Sequence, residues 1–371
     1  MSGAAAIRVA VPGGAYEVTV GFGLLDRLGG LLRPVTAAVR CALVTDDAVG
    51  PLYGLRAADA LRGAGFEPVV FTMPAGERSK SWSEAGRLME GLSEARMGRD
   101  CVVVALGGGV VGDMAGFCAA TYLRGVPVVQ VPTTLLAQVD SAIGGKTGVD
   151  LPMGKNLAGA FWQPLAVVAD PGCLATLTDR EWRRGLAEVA KSAVLDSETA
   201  FSALEADARA LSGRDPGATE RAVWMAASLK ARVVSGDERE AADRECLNYG
   251  HTLAHALERE LGYGTLTHGA AVADGMRFAA RLSERVLGAE EEWIRRQEGL
   301  LDALGLVPTG ARCEPDGLAS AMRSDKKVRS GRVRFVLSRR PGEWAVEPVD
   351  EEILLPALEA WCGSFGTGGV A

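Results

Sequence analysis

Five short stretches in the first half of the chain are apolar from end to end: CALVTDD (41–47), EPVVFTM (67–73), CVVVALGGG (101–109), VPVVQVP (126–132) and LAVVAD (165–170). A strand with one wet face alternates apolar and polar residues, whereas a strand covered on both faces does not. Helix-patterned stretches such as LRAADALRGAG and SWSEAGRLMEGLSEAR lie between the runs. This alternation predicts an α/β layer fold built on a parallel sheet. Near residue 178 the texture changes. Thr178 to Glu181 has capping-box spacing, and helix patterns follow almost without interruption. A β-like run, RVRFVLSRR (332–340), is the exception. The expected organisation is therefore an α/β domain over 1–178 and an all-α domain over 179–371. Two to three domains suit a chain of 371 residues.

Composition narrows the function. Forty Lys plus Arg against 47 Asp plus Glu give a formal charge of −7, which argues against a nucleic-acid partner needing a basic face. No apolar run reaches the ~18 residues of a membrane span. The opening MSGAAAIRV has no basic segment followed by an apolar one, so no secretory leader is expected. Seven cysteines, an odd number without a CxxC pair, fit a reducing cytoplasm better than a disulfide framework. The three histidines, His251, His255 and His268, all fall within 18 residues.

Gly107, Gly109 and Gly112 follow the strand CVVVAL in GxGxxG spacing. Such a turn lets backbone approach a pyrophosphate at a helix start, as in a Rossmann-like sheet, but it also serves as a packing turn. The acidic residue usual about 20 positions later is missing, because the next strand ends in Pro132-Thr133-Thr134. Asp46, ending CALVTDD, is an alternative ribose partner. In IGGKTGVD (143–150) a Walker A loop fails, since its first glycine would be Asp140. Lys146, Lys155 and Asn156 remain, suited to an anionic ligand.

Read as one helix, RECLNYGHTLAH places Arg244, Asn248, His251 and His255 on one face at spacings of 4, 3 and 4. A polar stripe of this kind is costly to bury without partners and asks for a ligand or metal. Two satisfied core histidines would also explain the pair. His268 follows a Gly/Thr-rich turn and can fold back onto the stripe. Glu188 and Lys191, one turn apart in GLAEVAKSAVL, form either an internal ion pair or a metal ligand beside a charged group.

GGGVVGDMAGFCAATYLRG, VPTTLLAQVDSAIGGKTGVDLPMGKNLAGAFWQP, GLAEVAKSAVL, RECLNYGHTLAHALE and DKKVRSGRVRFV occur in that order. Together they resemble the 3-dehydroquinate synthase family of sugar phosphate cyclases, whose pattern runs from near residue 7 to near residue 350. The resemblance implies conversion of a sugar acid phosphate, 3-deoxy-D-arabino-heptulosonate 7-phosphate, to 3-dehydroquinate and phosphate. It also implies bound NAD, a divalent metal (zinc or cobalt) and a homodimer. Matching positions make Glu188, His251 and His268 the metal ligands and move His255 to the substrate. The implied NAD site comprises Asp46, Glu77, Lys80, Gly109, Val110, Val111, Gly112, Asp113, Thr133, Thr134, Lys146, Lys155, Cys173, Leu174, Ala175, Thr176 and Leu177. Implied substrate contacts are Asp140, Lys146, Asn156, Lys191, Lys230, Arg244, Asn248, His255 and Lys326 or its neighbour Lys327, with Arg124 reaching across a dimer interface. Lys230 and Arg244 would suit the substrate carboxylate, and Lys146, Asn156, Asn248 and His255 the phosphate.

The chain departs from the family pattern at two points. Ala270 stands where glutamate is common, which leaves open a carboxylate behind the metal ligands. Cys173 stands where an aromatic is common, which would loosen contacts to adenine. Rival readings are another sugar phosphate cyclase, such as an aminodehydroquinate synthase, and a metal-dependent polyol dehydrogenase.

Overall fold

The computed structural model describes residues 5–240, 242–262, 264–323 and 332–364. The chain divides into two compact units. One holds Met1–Trp182 with Thr219–Arg239, and the other holds Arg183–Ala218 with Glu240–Ala371.

In the first unit, strands β1 (Ala5–Val11), β2 (Gly14–Val20), β3 (Arg40–Asp46), β4 (Glu67–Met73), β5 (Val102–Gly107) and β6 (Val128–Pro132) come first. They are followed by β7 (Lys146–Leu151), β8 (Gly154–Phe161) and β9 (Ala166–Ala169). Among the described residues, seven of these strands form one sheet in the order β1-β2-β9-β6-β5-β3-β4. All neighbours are parallel except the β1–β2 hairpin. The five apolar runs are β3, β4, β5, β6 and β9; β4 is the exception to burial on both faces, since it lies at the sheet edge with Val70 exposed.

The reason those runs do not alternate is visible in the packing. Leu43, Val102 and Val104 point into one apolar layer with Leu28, Ala57 and Leu61. Ala42, Val44, Val103 and Ala105 point into the opposite layer with Leu88, Met114 and Phe117. Helices α1 (Leu28–Leu32) and α2 (Leu55–Gly63) supply the first layer, and α3 (Trp82–Glu94) and α4 (Gly109–Thr121) the second. The glycine stretch after Ile143 is not all loop: it enters the antiparallel hairpin β7–β8. Glycine is depleted in strands, so a hairpin rich in it carries little sequence signal.

In the second unit, helix α5 (Asp179–Asp196), most of which belongs here, is followed by α6 (Glu198–Ser212). Helix α7 (Pro216–Gly236) returns the chain to the first unit from Thr219. There the Ala10 N–H donates to Ser235 Oγ at 3.0 Å, and Lys230 Nζ donates to Asp140 Oδ1 at 2.5 Å. The texture change near 178 cannot show this, because a helix reads alike whichever unit it packs on. Then follow α8 (His251–Glu260), α9 (His268–Leu287), α10 (Glu291–Ala303), α11 (Pro315–Arg323), strands β10 (Val333–Arg340) and β11 (Glu343–Val349), and α12 (Glu351–Ser364). The helical unit thus carries an antiparallel hairpin beside its helices. Its strand β10 lies on α9, with Phe335 and Phe278 ring centroids 5.9 Å apart.

Two glycine contacts set the helix positions. A Cβ on Gly275 of α9 would fall 1.8 Å from the Gly250 carbonyl oxygen just before α8. A Cβ on Gly269 would fall 2.6 Å from Arg184 Cα of α5. Alanine at 275 would force backbones apart, so Gly275→Ala should destabilise by about 1–3 kcal/mol or more. Gly299 of α10 has open space around it, so Gly299→Ala should stabilise by about 0.5–1 kcal/mol. Thermal melting of the two variants should move in opposite directions; equal shifts would contradict the close approach.

Candidate active site

Helices α5, α8 and α9 each contribute one side chain to a common point. Thr267 caps α9, its hydroxyl accepting the Ala270 N–H, and so starts the helix at His268. With Gly269 against α5, His268 Nε2 lies 3.9 Å from Glu188 Oε1. His251, the first residue of α8, places its Nε2 3.5 Å from the same oxygen. One donor atom from each of Glu188, His251 and His268 lies within 4.8 Å of the other two. Ligands ~2.1 Å from a tetrahedral ion sit about 3.4 Å apart, so the spacing fits a divalent metal with little adjustment.

The outer nitrogens are also held. His251 Nδ1 lies 3.2 Å from the Tyr249 carbonyl, and His268 Nδ1 lies 3.3 Å from Glu258 Oε2. A proton on each Nδ1 leaves the Nε2 lone pairs aimed at the shared point. Lys191, one turn after Glu188, pairs with Glu188 Oε2; both side chains are buried. Two nitrogens and one carboxylate oxygen are the donor set of a catalytic rather than a structural zinc.

The four-residue stripe is corrected by the structure. Asp243–Asn248 is a 3₁₀ turn, and Gly250 follows with φ +79° before α8 begins. That left-handed residue and its close neighbour α9 break the helix, so Arg244 and Asn248 do not share the α8 face. Arg244 is buried in the turn, and Asn248 Nδ2 donates to Glu240 Oε1 at 3.3 Å. His251 and His255 do share a face, their ring centroids 5.6 Å apart, with His268 6.2 Å from His255. Glu258 was missed by the sequence reading. Its signal was available, because 251, 255 and 258 continue one stripe at spacings of 4 and 3. Glu258 also answers the question left by Ala270, since it puts a carboxylate behind His268.

The first unit gathers the residues matched to NAD. Strand β5 ends at Gly107 and α4 starts at Gly109. A Cβ on Gly109 would lie 3.0 Å from Ser141 Oγ, and one on Gly112 would lie 2.7 Å from Gln130 Oε1. The glycines are therefore packing glycines as well as a possible cradle. Beside them the hydroxyl oxygens of Thr45, Thr133 and Ser141 are buried without a hydrogen bond among the described residues. Orphaned hydroxyls beside an open helix start suit a polar ligand such as a dinucleotide. Thr134 Oγ1 accepts the Ala137 N–H. Val110 is half-buried, whereas the Val111 side chain lies in the core, so only its backbone is available. Asp46, at the end of β3, accepts the N–H groups of Ala48 and Val49 at 3.1 and 2.7 Å.

Lys80 Nζ reaches Asp113 Oδ2 at 2.5 Å and also Asn156 Oδ1. Burial alone would lower the Lys80 ammonium, but the Asp113 carboxylate outweighs it and holds Lys80 above the ordinary lysine value. It therefore stays protonated at neutral pH. Asn156 has φ +54° and donates its N–H to Asp150 Oδ1 at 2.7 Å. Lys155 Nζ lies 3.7 Å from Glu77 Oε1. Lys146 is exposed at the start of β7, after a loop whose Gly144 N–H donates to the Tyr16 hydroxyl at 2.9 Å. Arg124 is exposed with φ +69°. Lys326 and Lys327 lie outside the described residues.

The segment matched to adenine contacts is a 3₁₀ stretch, Pro171–Thr176. Ala175 and Thr176 are exposed, Leu177 is half-buried, and Leu174 is buried. The Cys173 side chain packs in the core with Leu24 and Tyr53, and its carbonyl accepts the Tyr53 hydroxyl at 3.0 Å. Its side chain therefore faces the protein interior.

Comparison with known proteins now bears on the whole chain. Family models described as 3-dehydroquinate synthase N-terminal and C-terminal match residues 70–184 and 185–328. The chain belongs to the 3-dehydroquinate synthase family. It is 48% identical to the 3-dehydroquinate synthase of Symbiobacterium thermophilum over 93% of this chain and 97% of that one. It is also 48% identical to that of Halorhodospira halophila, over 90% and 92%. Among solved structures it is similar to the 2-epi-5-epi-valiolone synthase of Streptomyces hygroscopicus subsp. jinggangensis, which has NAD+ and Zn2+ bound. That match has a TM-score of 0.85 and 28% identity, over 95% of this chain and 96% of the other.

Burial pushes the thiols of Cys41, Cys118 and Cys173 up to about 12. At pH 8 the thiolate fraction of each is then on the order of 10⁻⁴. Native protein treated with iodoacetamide at pH 8 should leave these three peptides unmodified while denatured protein is alkylated at all three. Rapid native labelling of Cys173, read by peptide mass spectrometry, would contradict its placement in the core.

Proposed function

We propose that the chain converts 3-deoxy-D-arabino-heptulosonate 7-phosphate to 3-dehydroquinate and phosphate, the reaction of its family. The observation that carries the reading is the convergence of Glu188, His251 and His268 from three helices, with Lys191 paired to the carboxylate. The residues matched to NAD would hold a dinucleotide that supplies a reversible hydride acceptor, and Glu188, His251 and His268 would hold a divalent metal that would polarise the oxygen on the carbon to be oxidised.

The chain's own residues bind, orient and move protons. Lys191 is the cation beside the oxidised carbon; with Glu188 it forms a pre-set ion pair that needs no reorganisation on binding. Oxidation acidifies the neighbouring C–H, phosphate leaves by elimination, and the leaving phosphate carries the proton away. Lys146, Asn156, Asn248 and His255 are the proposed phosphate ligands. Asn156 accepts from Lys80 through Oδ1, so its Nδ2 is the group that would donate to the phosphate. Arg244 and Lys230 are the proposed partners of the substrate carboxylate, and Asp140 holds Lys230. After hydride return the ring opens, and the enolate closes on the ketone. Most of this is positioning and charge neutralisation.

A homodimer in a reducing cytoplasm completes the proposal. Leu151, Met153, Leu157 and Phe161 of hairpin β7–β8 and Trp82 of α3 are exposed apolar side chains, which a subunit interface would cover. Leu123 and Arg124 both have positive φ, at +51° and +69°. Such backbone strain costs roughly 1–3 kcal/mol per residue and clusters at functional sites, consistent with Arg124 serving a partner subunit's site. All seven cysteines are free. No helix of the described residues is long and apolar enough to cross a membrane.

The test is phosphate release from the heptulosonate phosphate with zinc and substoichiometric NAD. Turnover should exceed the NAD present, with no net NADH. Net NADH without phosphate would indicate a polyol dehydrogenase. Preference for the amino analogue or for sedoheptulose 7-phosphate would indicate another cyclase. His268→Ala should lose zinc and slow phosphate release by on the order of 10²–10³-fold. Arg244→Lys keeps the charge but loses the bidentate fork. It should raise the substrate KM roughly tenfold or more, about 1.4 kcal/mol, with NAD affinity unchanged; equal loss for both ligands would reject the carboxylate role.

A further inference from the structure

We propose that Glu258 is a positioning residue whose carboxylate orients His268 and strengthens it as a metal ligand. The inference rests on the reading of Glu188, His251 and His268 as a metal site. Glu258 is a buried carboxylate, 8% exposed. Removing a carboxylate from water is costly unless it gains a hydrogen-bond partner, and Glu258 Oε2 lies 3.3 Å from His268 Nδ1. The helix supplies the geometry. Glu258 lies two turns after His251 and one turn after His255 on the same face of α8, so it meets the His268 ring from the side away from Glu188.

The two histidines are supported differently. His251 Nδ1 is directed to a neutral backbone carbonyl, that of Tyr249. Tyr249 is itself fixed, fully buried with its hydroxyl donating to Gln297 Oε1 at 2.6 Å. His268 Nδ1 is directed to a charged carboxylate. Acceptance of the Nδ1–H fixes the tautomer with its lone pair on Nε2, and the negative charge behind the ring makes that nitrogen a stronger donor. His268 is the more exposed of the two, with 22% of its side chain accessible against 12% for His251. It therefore depends more on a partner to hold its rotamer.

Partners of this kind are worth 10–100-fold in metal affinity. The experiment measures zinc affinity of the metal-free full-length protein by competition with a chromophoric chelator. It also records the visible absorption of the cobalt-substituted protein and the melting of each metal-free variant. Glu258→Ala should bind zinc 10–100-fold more weakly and change the cobalt spectrum, while melting like the parent. Glu258→Gln, which keeps an acceptor and the shape but not the charge, should fall between the two. In a His268→Ala background Glu258→Ala should have no further effect on zinc affinity, because its influence passes through that ring. Parental zinc affinity and cobalt spectrum in Glu258→Ala overturn the proposal. If that variant does not fold, a Glu258→Gln protein indistinguishable from the parent in both measurements overturns it. An undiminished effect in the His268→Ala background also does so. Failure of the parent itself to bind zinc or cobalt would instead overturn the metal site.

Discussion

The close approach of three helices at glycine decides whether this protein has a metal-binding point. Glutamate on α5 and histidine on α9 can serve one ion only if the two helices pack directly against each other. The missing side chain of Gly269 permits that on one side, and the missing side chain of Gly275, against Gly250, permits it on the other. An ordinary helix pair packs at 8–10 Å between axes, depending on the side chains at the contact; glycine at each contact brings the short His and Glu side chains within reach. That approach brings both Nε2 atoms near Glu188, and the Nδ1 contacts to the Tyr249 carbonyl and Glu258 orient the rings.

Buried charge is the second recurring theme. Glu188 with Lys191 is a fully buried pair, and Lys80 with Asp113 and Lys230 with Asp140 each set a largely buried lysine against a partly exposed carboxylate. Such pairs seldom add to stability, because desolvation offsets their attraction. Replacing both partners of such pairs by apolar residues is often neutral, whereas removing one alone leaves an uncompensated buried charge. Their retention makes sense if each cation is held ready for an anionic or oxygen-rich ligand, which fits a reaction on a sugar acid phosphate. The buried hydroxyls of Thr45, Thr133 and Ser141, without a hydrogen bond among the described residues, are a further polar feature of the first unit.

The sheet was the most legible part of the chain. Runs such as CVVVALG are apolar on both faces because helices cover both faces of β5, and local composition reports that directly. The β1–β2 and β7–β8 hairpins were less so, since one opens the chain with mixed exposure and the other is glycine-rich. The ligand residues were legible through spacing and through resemblance together, since spacing alone grouped Arg244 and Asn248 with His251. That grouping assumed one helix where Gly250 inserts a left-handed residue, and a glycine inside an apolar-periodic stretch does not announce its φ.

By itself the sequence determined what each segment could be: which apolar runs are strands, which stretches are helices, and which few side chains are candidates for metal or anion chemistry. Tertiary structure alone decided what meets what. It placed α7 with the sheet unit rather than the helical one, turned Cys173 into the core, and set Glu258 behind His268. The physical reason is that periodicity along a chain records which face of an element is buried, but nothing local records the identity of the element that buries it.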